Sequence, residues 1–262
     1  MKKITAIVAA VLIAGTMGTN AQIKIGGKKL DTGKVIQAAS DAATAITLSD
    51  DDVARICREA VEWMDANNPI ADETTEYGQR LQRLTEGVTD VNGVPLNFKV
   101  YHVIDINAFA CGDGSIRVFS SLMDIMDDDE LVAIIGHEIG HIASTDVKDA
   151  IKTAYLAQAA RGAISSTGGT AAKLSDSELG DLVSAFTDAQ FSQKQEYAAD
   201  DYGFQFCVDQ GYKPIGMASS LERLVELSQG AKASAVQKMF SSHPDSEKRA
   251  KRMREKAENY QK

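Results

Sequence analysis

The stretch "AIIGHEIGHIAS", residues 133–144, decides how the rest of the chain is read. Its apolar residues predict one buried helix. Yet His137, Glu138 and His141 put titratable groups where the flanking isoleucines demand burial. Gly136 and Gly140 each cost a helix interior about 1 kcal/mol relative to alanine. A segment that breaks local rules this often marks a functional site. The spacing supplies a reason: residues i and i+4 share a helix face, so the rings of His137 and His141 project together. Glycines beside them let other backbone approach closely.

Working outward, "DDDE" at 127–130 is read as a cap, because negative charge favours the N-terminal end of a helix. Downstream, helices are expected at 146–160, 176–190, 191–210, 214–229, 231–240 and 244–260. The segment 161–173 is rich in glycine, serine and threonine and is expected to be a mobile loop. Upstream, Ser49 should cap a helix that buries Val53, Ile56, Cys57, Ala60, Val61 and Met64. A second helix is expected over 73–87, and a short one over 33–46, after an irregular 22–32. Between them and the central helix, Asn92-Gly93 marks a turn, and 96–105, 106–111 and 115–119 read as a three-stranded sheet containing His102. The fold class is therefore mostly α with a small β-sheet (α+β). Neither an internal repeat nor a linker divides it.

The chain has 262 residues, 44% hydrophobic, enough for one sizeable core. Met1, Lys2 and Lys3, an apolar run to Ala14 and then "TNAQ" have the layout of a secretory signal peptide over residues 1–21, cleaved near Ala21. That predicts a single exported domain over 22–262, periplasmic or secreted, soluble and without a spanning segment. The net charge of −9 makes nucleic acid a poor partner. Three cysteines, Cys57, Cys111 and Cys207, are too few for a disulfide scaffold; Cys57 and Cys207 fall at apolar helix positions and read as small buried hydrophobes.

His137, Glu138 and His141 form the H-E-x-x-H pattern, in which two imidazoles reach one Zn²⁺ and the glutamate acts as base. A third ligand is required. The metzincin extension fails, since Ser144 and Val147 stand where it needs Gly and His. The stretch "QEYAADD", 195–201, offers Glu196 and Asp200 on one helix face. Glu196 would bind the ion and Asp200 would accept from the back of a ligand histidine, or both simply form a solvated acidic face.

"HEIGH" followed by "EYAAD" resembles the HtpX-like and CAAX-prenyl-protease-like zinc metallopeptidases, the gluzincins of peptidase family M48. "NAFACGDGSIRVFSSLMD", 107–124, is similar to the family's strand and glycine turn before the metal helix, although Cys111-Gly112-Asp113-Gly114 stands where relatives often carry proline. "SHPDSEKR", 242–249, is similar to its late Ser/Thr-His-Pro segment with a following arginine. The resemblance implies a zincin-like domain with one zinc on His137, His141 and Glu196, and Glu138 as base. It places Asp200 and Arg249 behind the ligands and His243 near the metal as an oxyanion donor. In a resting enzyme His243 could instead be a fourth ligand that plugs the site. Asn107, Ala108, Phe109 and Ala110 would form an edge strand pairing with substrate backbone. The implied activity is endopeptidase cleavage of unfolded or damaged envelope proteins. The alternative is a zinc-binding chaperone or assembly factor of the envelope.

Overall fold

The structure, a computed structural model, describes residues 23–25, 28–30, 48–160, 173–230 and 233–260. The signal segment 1–21, the helix expected at 33–46 and residues 161–172 of the glycine-rich segment lie outside the described residues. Within 22–32, expected to be irregular, β1 (Ile23–Ile25) and β2 (Lys28–Leu30) pair as an antiparallel hairpin.

Helix α1 (Asp50–Asn67) starts where its sequence says. The Ser49 side chain accepts from the Asp52 amide, and Asp52 returns the bond in a capping box. Its buried face is the expected one: Val53, Ile56, Cys57, Ala60, Val61 and Met64. β3 (Ile70–Ala71) and α2 (Glu76–Leu84) follow. The hairpin β4 (Asp90–Val91) and β5 (Val94–Pro95) turns through Asn92 and Gly93, both at positive φ, as the Asn-Gly pair predicts.

The principal sheet has four strands, not three. β6 (Asn97–Tyr101), β7 (Ala108–Ala110) and β8 (Ser115–Phe119) are joined by β3, in the order β3-β6-β8-β7. β6 and β8 run parallel, and β7 turns back antiparallel to β8. Gly114 is obligatory at that turn. Its φ is +94°, and a Cβ there would lie 1.9 Å from the Pro95 carbonyl oxygen. The strand expected over 96–105 stops at Tyr101. The His102 amide bonds to the Pro69 carbonyl, and His102 itself is exposed, outside the sheet, with its ring beside Tyr77.

Strand alternation splits the interior in two. Val100, Ala108, Ala110, Ile116 and Val118 face the central helix, while Tyr101, Phe109 and Phe119 face α1 and its neighbours. On this second side Asp65 of α1 ties the sheet down. It accepts from Arg117 at 2.8 and 3.0 Å, Lys99 at 2.7 Å and Tyr101 at 2.7 Å. Burial opposes its charge, but those donors hold the carboxyl below its usual range.

After α3 (Ser120–Ile125), α4 (Asp128–Ala143) runs through the core, buried from Glu130 to Ile142. The acidic run caps it, with Asp127 and Glu130 forming a capping box. Glu130 also accepts from the Nε and Nη2 of Arg223, which lies far along the chain. Helices α5 (Asp146–Ala160), α6 (Asp176–Thr187), α7 (Gln193–Asp209), α8 (Gly216–Ser228), α9 (Ala233–Ser242) and α10 (Ser246–Glu258) complete the fold. All three cysteines are free and buried, and the Cys111 thiol lies 4.0 Å from the Cys57 carbonyl oxygen. The neighbouring Cys57 thiol, and then burial, hold the Cys111 thiol well above its usual range. Among the described residues no helix is long and apolar enough to cross a membrane.

Helices α4 and α7 touch almost backbone to backbone. A Cβ on Gly136 would lie 2.8 Å from the side chain of Phe206, and one on Gly140 would lie 3.1 Å from the Ala199 Cα. Gly203 answers from α7: its Cβ would meet the Ala133 carbonyl oxygen at 2.7 Å and the His137 amide nitrogen at 3.0 Å. Gly203→Ala gains about 1 kcal/mol of helix propensity. Overpacking against rigid backbone costs about 1–3 kcal/mol and wins. The variant should melt a few degrees below wild type, about 2–4 °C per kcal/mol lost for a domain of this size. Thermal unfolding checks this, and a variant as stable as wild type would refute the tight crossing.

Candidate metal centre

The crossing of α4 and α7 assembles the site. His137 and His141 stand one turn apart on α4, and α7 brings Glu196 and Asp200, also one turn apart, onto the same side. His243 comes from the bend between α9 and α10, where Pro244 disfavours helix in the residue before it. One ligand atom from each of His137, His141, Glu196 and His243 lies within 4.8 Å of the others, and all four residues are buried.

The distances state what belongs between them. His137 Nε2 is 3.1 Å from His141 Nε2 and 3.3 Å from His243 Nδ1. Glu196 Oε1 is 3.0 Å from His243 Nδ1 and 3.4 Å from His141 Nε2. On the far side of the ligand rings, His137 Nδ1 is 3.1 Å from Asp200 Oδ1 and His141 Nδ1 is 3.0 Å from Asp146 Oδ2. A neutral imidazole carries one N–H, and each carboxylate fixes that proton on Nδ1. Both Nε2 atoms therefore present lone pairs to each other and to a carboxylate. Such acceptors repel unless a cation sits among them. Two nitrogens on one tetrahedral divalent ion, each at about 2.0–2.1 Å, stand about 3.3 Å apart, so the donor set fits a metal.

Charge points the same way. Glu138, Glu196, Asp200 and Asp146 are all buried, and the guanidinium among them is that of Arg249, also buried. Arg249 donates to Asp200 at 2.6 and 2.9 Å, contacts Glu196 Oε2 and reaches the His243 carbonyl at 3.4 Å. Burial would raise the Asp200 carboxyl, but Arg249 and His137 take it down to about 2. Burial likewise opposes the Glu196 charge, and the histidines around it hold it well below the usual range. His137 is pushed down by burial and by the charges of His141 and Arg249. Burial acts on His141 too, yet Asp146 and Glu196 outweigh it and raise it to about 9.

Glu138 points its Oε1 into the same space. That oxygen is buried and has no hydrogen-bond partner among the described residues; His243 Nε2 is 3.7 Å away. A buried carboxylate oxygen left unpaired costs free energy unless a water or substrate completes it. β7 packs against α4 at the edge of the sheet, with Ala108 and Ala110 buried beneath it and Phe109 on the opposite face. Asn107 precedes that strand, buried. The structure thus gathers His137, Glu138, His141, Glu196, Asp200, His243 and Arg249 at one point and sets 107–110 beside their helix.

Three further residues had escaped the sequence reading. Phe191 stacks on His141 with ring centroids 4.0 Å apart and also flanks His243. Asp146 and Gln195 bond to each other behind His141 at 2.8 Å. The available signal was faint: an aromatic just before the Ser192 cap, and an acid just after the central helix ends.

Residues 76–257 match the profile described as "Peptidase family M48". The chain is 38% identical to metalloprotease LoiP of Escherichia coli (strain K12), with 94% of this chain and 96% of that protein covered. It is also 38% identical to metalloprotease YcaL of the same organism, covering 87% of this chain and 88% of the relative. A protease HtpX homolog of Salinibacter ruber is 27% identical across 58% of this chain and 64% of its own length.

Glu196→Ala should abolish stoichiometric metal binding, because it removes the anionic ligand. Asp200→Ala should keep the metal with affinity weakened about 10–100-fold. Elemental analysis and chelator competition read both. Tight binding of one ion by Glu196→Ala would show that the ligand set is different.

Proposed function

The chain belongs to peptidase family M48, and on that premise we propose that this metallopeptidase is a zinc endopeptidase. Its zinc would be held by His137, His141 and Glu196, with Glu138 as the base. The observation that carries this reading is the convergence of two fixed imidazole lone pairs and a carboxylate beside the unpaired Oε1 of Glu138. When bound, the ion supplies Lewis-acid polarisation of a peptide carbonyl and acidifies a water.

The chain's own groups do the rest. Glu138 Oε1 accepts the proton of the attacking water and carries it to the leaving amide nitrogen. Asp200, held by Arg249, keeps the His137 ring in the ligating tautomer. The 107–110 edge strand offers backbone hydrogen bonds to an extended substrate. Backbone pairing reads few side chains, which suits unfolded or damaged polypeptides as substrates. Residues 1–21 support export, and hence a quality-control role among envelope proteins.

His243 has two candidate roles, oxyanion donor and plug, and the distances favour the plug. With Nδ1 3.0 Å from Glu196 and 3.3 Å from His137, the ring lies where a fourth ligand would stand. In that position it keeps water and substrate out until the bend before α10 moves.

Glu138→Gln preserves size and hydrogen bonding but cannot take a proton. It should retain one zinc and cleave casein at least about 10²-fold more slowly. Normal turnover would remove Glu138 from the mechanism. The same variant separates protease from chaperone: full rescue of a deletion strain by Glu138→Gln would favour the chaperone. His243→Ala should speed cleavage by the reciprocal of the open fraction, on the order of 10-fold for a site open one-tenth of the time. A slower variant that still binds zinc would restore the oxyanion role.

A further inference from the structure

The two ligand histidines are backed in parallel ways. His137 leans on Asp200, which Arg249 clamps; His141 leans on Asp146, which Gln195 clamps. We propose that Asp146, oriented by Gln195, is the positioning residue for His141 and sets how tightly the site holds its metal. The proposal rests on the zinc reading above.

Three features of the backbone and side chains carry it. First, the chain leaves α4 through Thr145, whose φ is +63°. A β-branched residue rarely adopts the left-handed region, and such strain persists only where the surroundings impose it. The Thr145 amide bonds to the Ile142 carbonyl, and the Thr145 carbonyl accepts the Asp149 amide. One residue therefore ends α4 and begins α5. The abrupt reversal swings Asp146 back against the last turn of α4, five residues from His141.

Second, each oxygen of the Asp146 carboxylate has its own donor, which defines the orientation of the group. Its Oδ2 takes the His141 Nδ1 proton at 3.0 Å, and its Oδ1 takes the Gln195 amide at 2.8 Å. The Gln195 amide is itself fixed. Its Oε1 accepts from the amide and hydroxyl of Ser192 at 2.9 and 2.7 Å, as the far half of the α7 capping box. That leaves its Nε2 free to donate, so the orientation of the side chain follows from its partners.

Third, Gln195 is the residue before the ligand Glu196. The first turn of α7 thus delivers the anionic ligand and clamps the carboxylate behind the neighbouring ligand. His141 is fully buried, so without Asp146 its Nδ1 proton loses this acceptor. The ring could then protonate on Nε2 instead, closing the lone pair that the metal needs. The carboxylate also raises the basicity of the ligating nitrogen.

The experiment compares Asp146→Ala, Asp146→Asn and Gln195→Ala with wild type in the full chain. Zinc affinity is read by competition with a chromophoric chelator, well below each variant's melting temperature. The visible spectrum of the Co²⁺-substituted protein reports ligand geometry. Asp146→Ala should bind zinc about 10–100-fold more weakly and shift the cobalt bands. Gln195→Ala should move both readouts the same way, by less. Asp146→Asn keeps the volume and one acceptor, and it covers the case in which alanine fails to fold; it should fall between wild type and alanine. Wild-type zinc affinity with unchanged cobalt bands in the folded Asp146 variants would overturn the proposal, since a purely structural residue would change melting alone. A wild-type chain that takes up no zinc would instead defeat the functional reading beneath it.

Discussion

Everything at the metal centre depends on how closely α4 can approach α7. The ligands come from two helices, and an acid on α7 meets imidazoles on α4 only if the two backbones nearly touch. Gly136, Gly140 and Gly203 make that contact possible. Three glycines in helix interiors cost about 3 kcal/mol of propensity in total. The chain accepts that cost because any side chain at the crossing would separate Glu196 from His137 and His141. Stability given up locally is recovered by the apolar cores on the two faces of the sheet.

The second constraint is electrostatic. Four buried carboxylates surround one buried guanidinium, and charges taken out of water are tolerated only when paired. Arg249 pairs with Asp200 and Glu196, and a divalent ion at the four-residue cluster would offset the remainder. An ion held there would couple the site to folding, because its ligands come together only in the assembled state and binding would stabilise that state by mass action. The same logic explains the supports behind the ligands. A ring nitrogen ligates only when its proton is kept on the other nitrogen, so each histidine comes with an acid, and each acid with a donor that aims it. The resulting chain of hydrogen bonds runs from Ser192 through Gln195 and Asp146 to His141.

The sheet meets the α4 helix on one face and α1 on the other. β7 is an edge strand resting on the metal helix, and Gly114 forces the turn that returns the chain to β8. On the other face Asp65 collects Arg117, Lys99 and Tyr101, fixing the sheet to α1. These bonds anchor β6 and β8, the strands inside the edge strand, on the side away from the histidine cluster. His243 is different in kind. It sits in a bend rather than in a helix, and two helices supply the groups around it: Glu138 and His137 from α4, Glu196 from α7.

Short-range pattern was legible in the sequence. The Ser49 and Asp127 caps, the Asn-Gly hairpin, the buried face of α1 and the shared face of His137 and His141 all follow from spacings of a few residues, and the structure has each of them. Glu196 was legible as a candidate, because the i, i+4 acids left a third ligand to be found. The tertiary structure alone decided what depends on distant chain coming together. β3 is two residues long and becomes a strand only because β6 lies beside it. The strand expected to run to 105 stops at Tyr101, where the next amide turns to Pro69. Asp146 and Gln195 look like ordinary helix-start residues until α5 and α7 are packed, and the nitrogen that His243 turns to the site is set by Glu196 and His137 from two other helices. The physical reason is one of range. Helix and turn periodicity act between neighbours and are written locally, whereas a buried hydrogen bond belongs to two segments at once and exists only after both are in place.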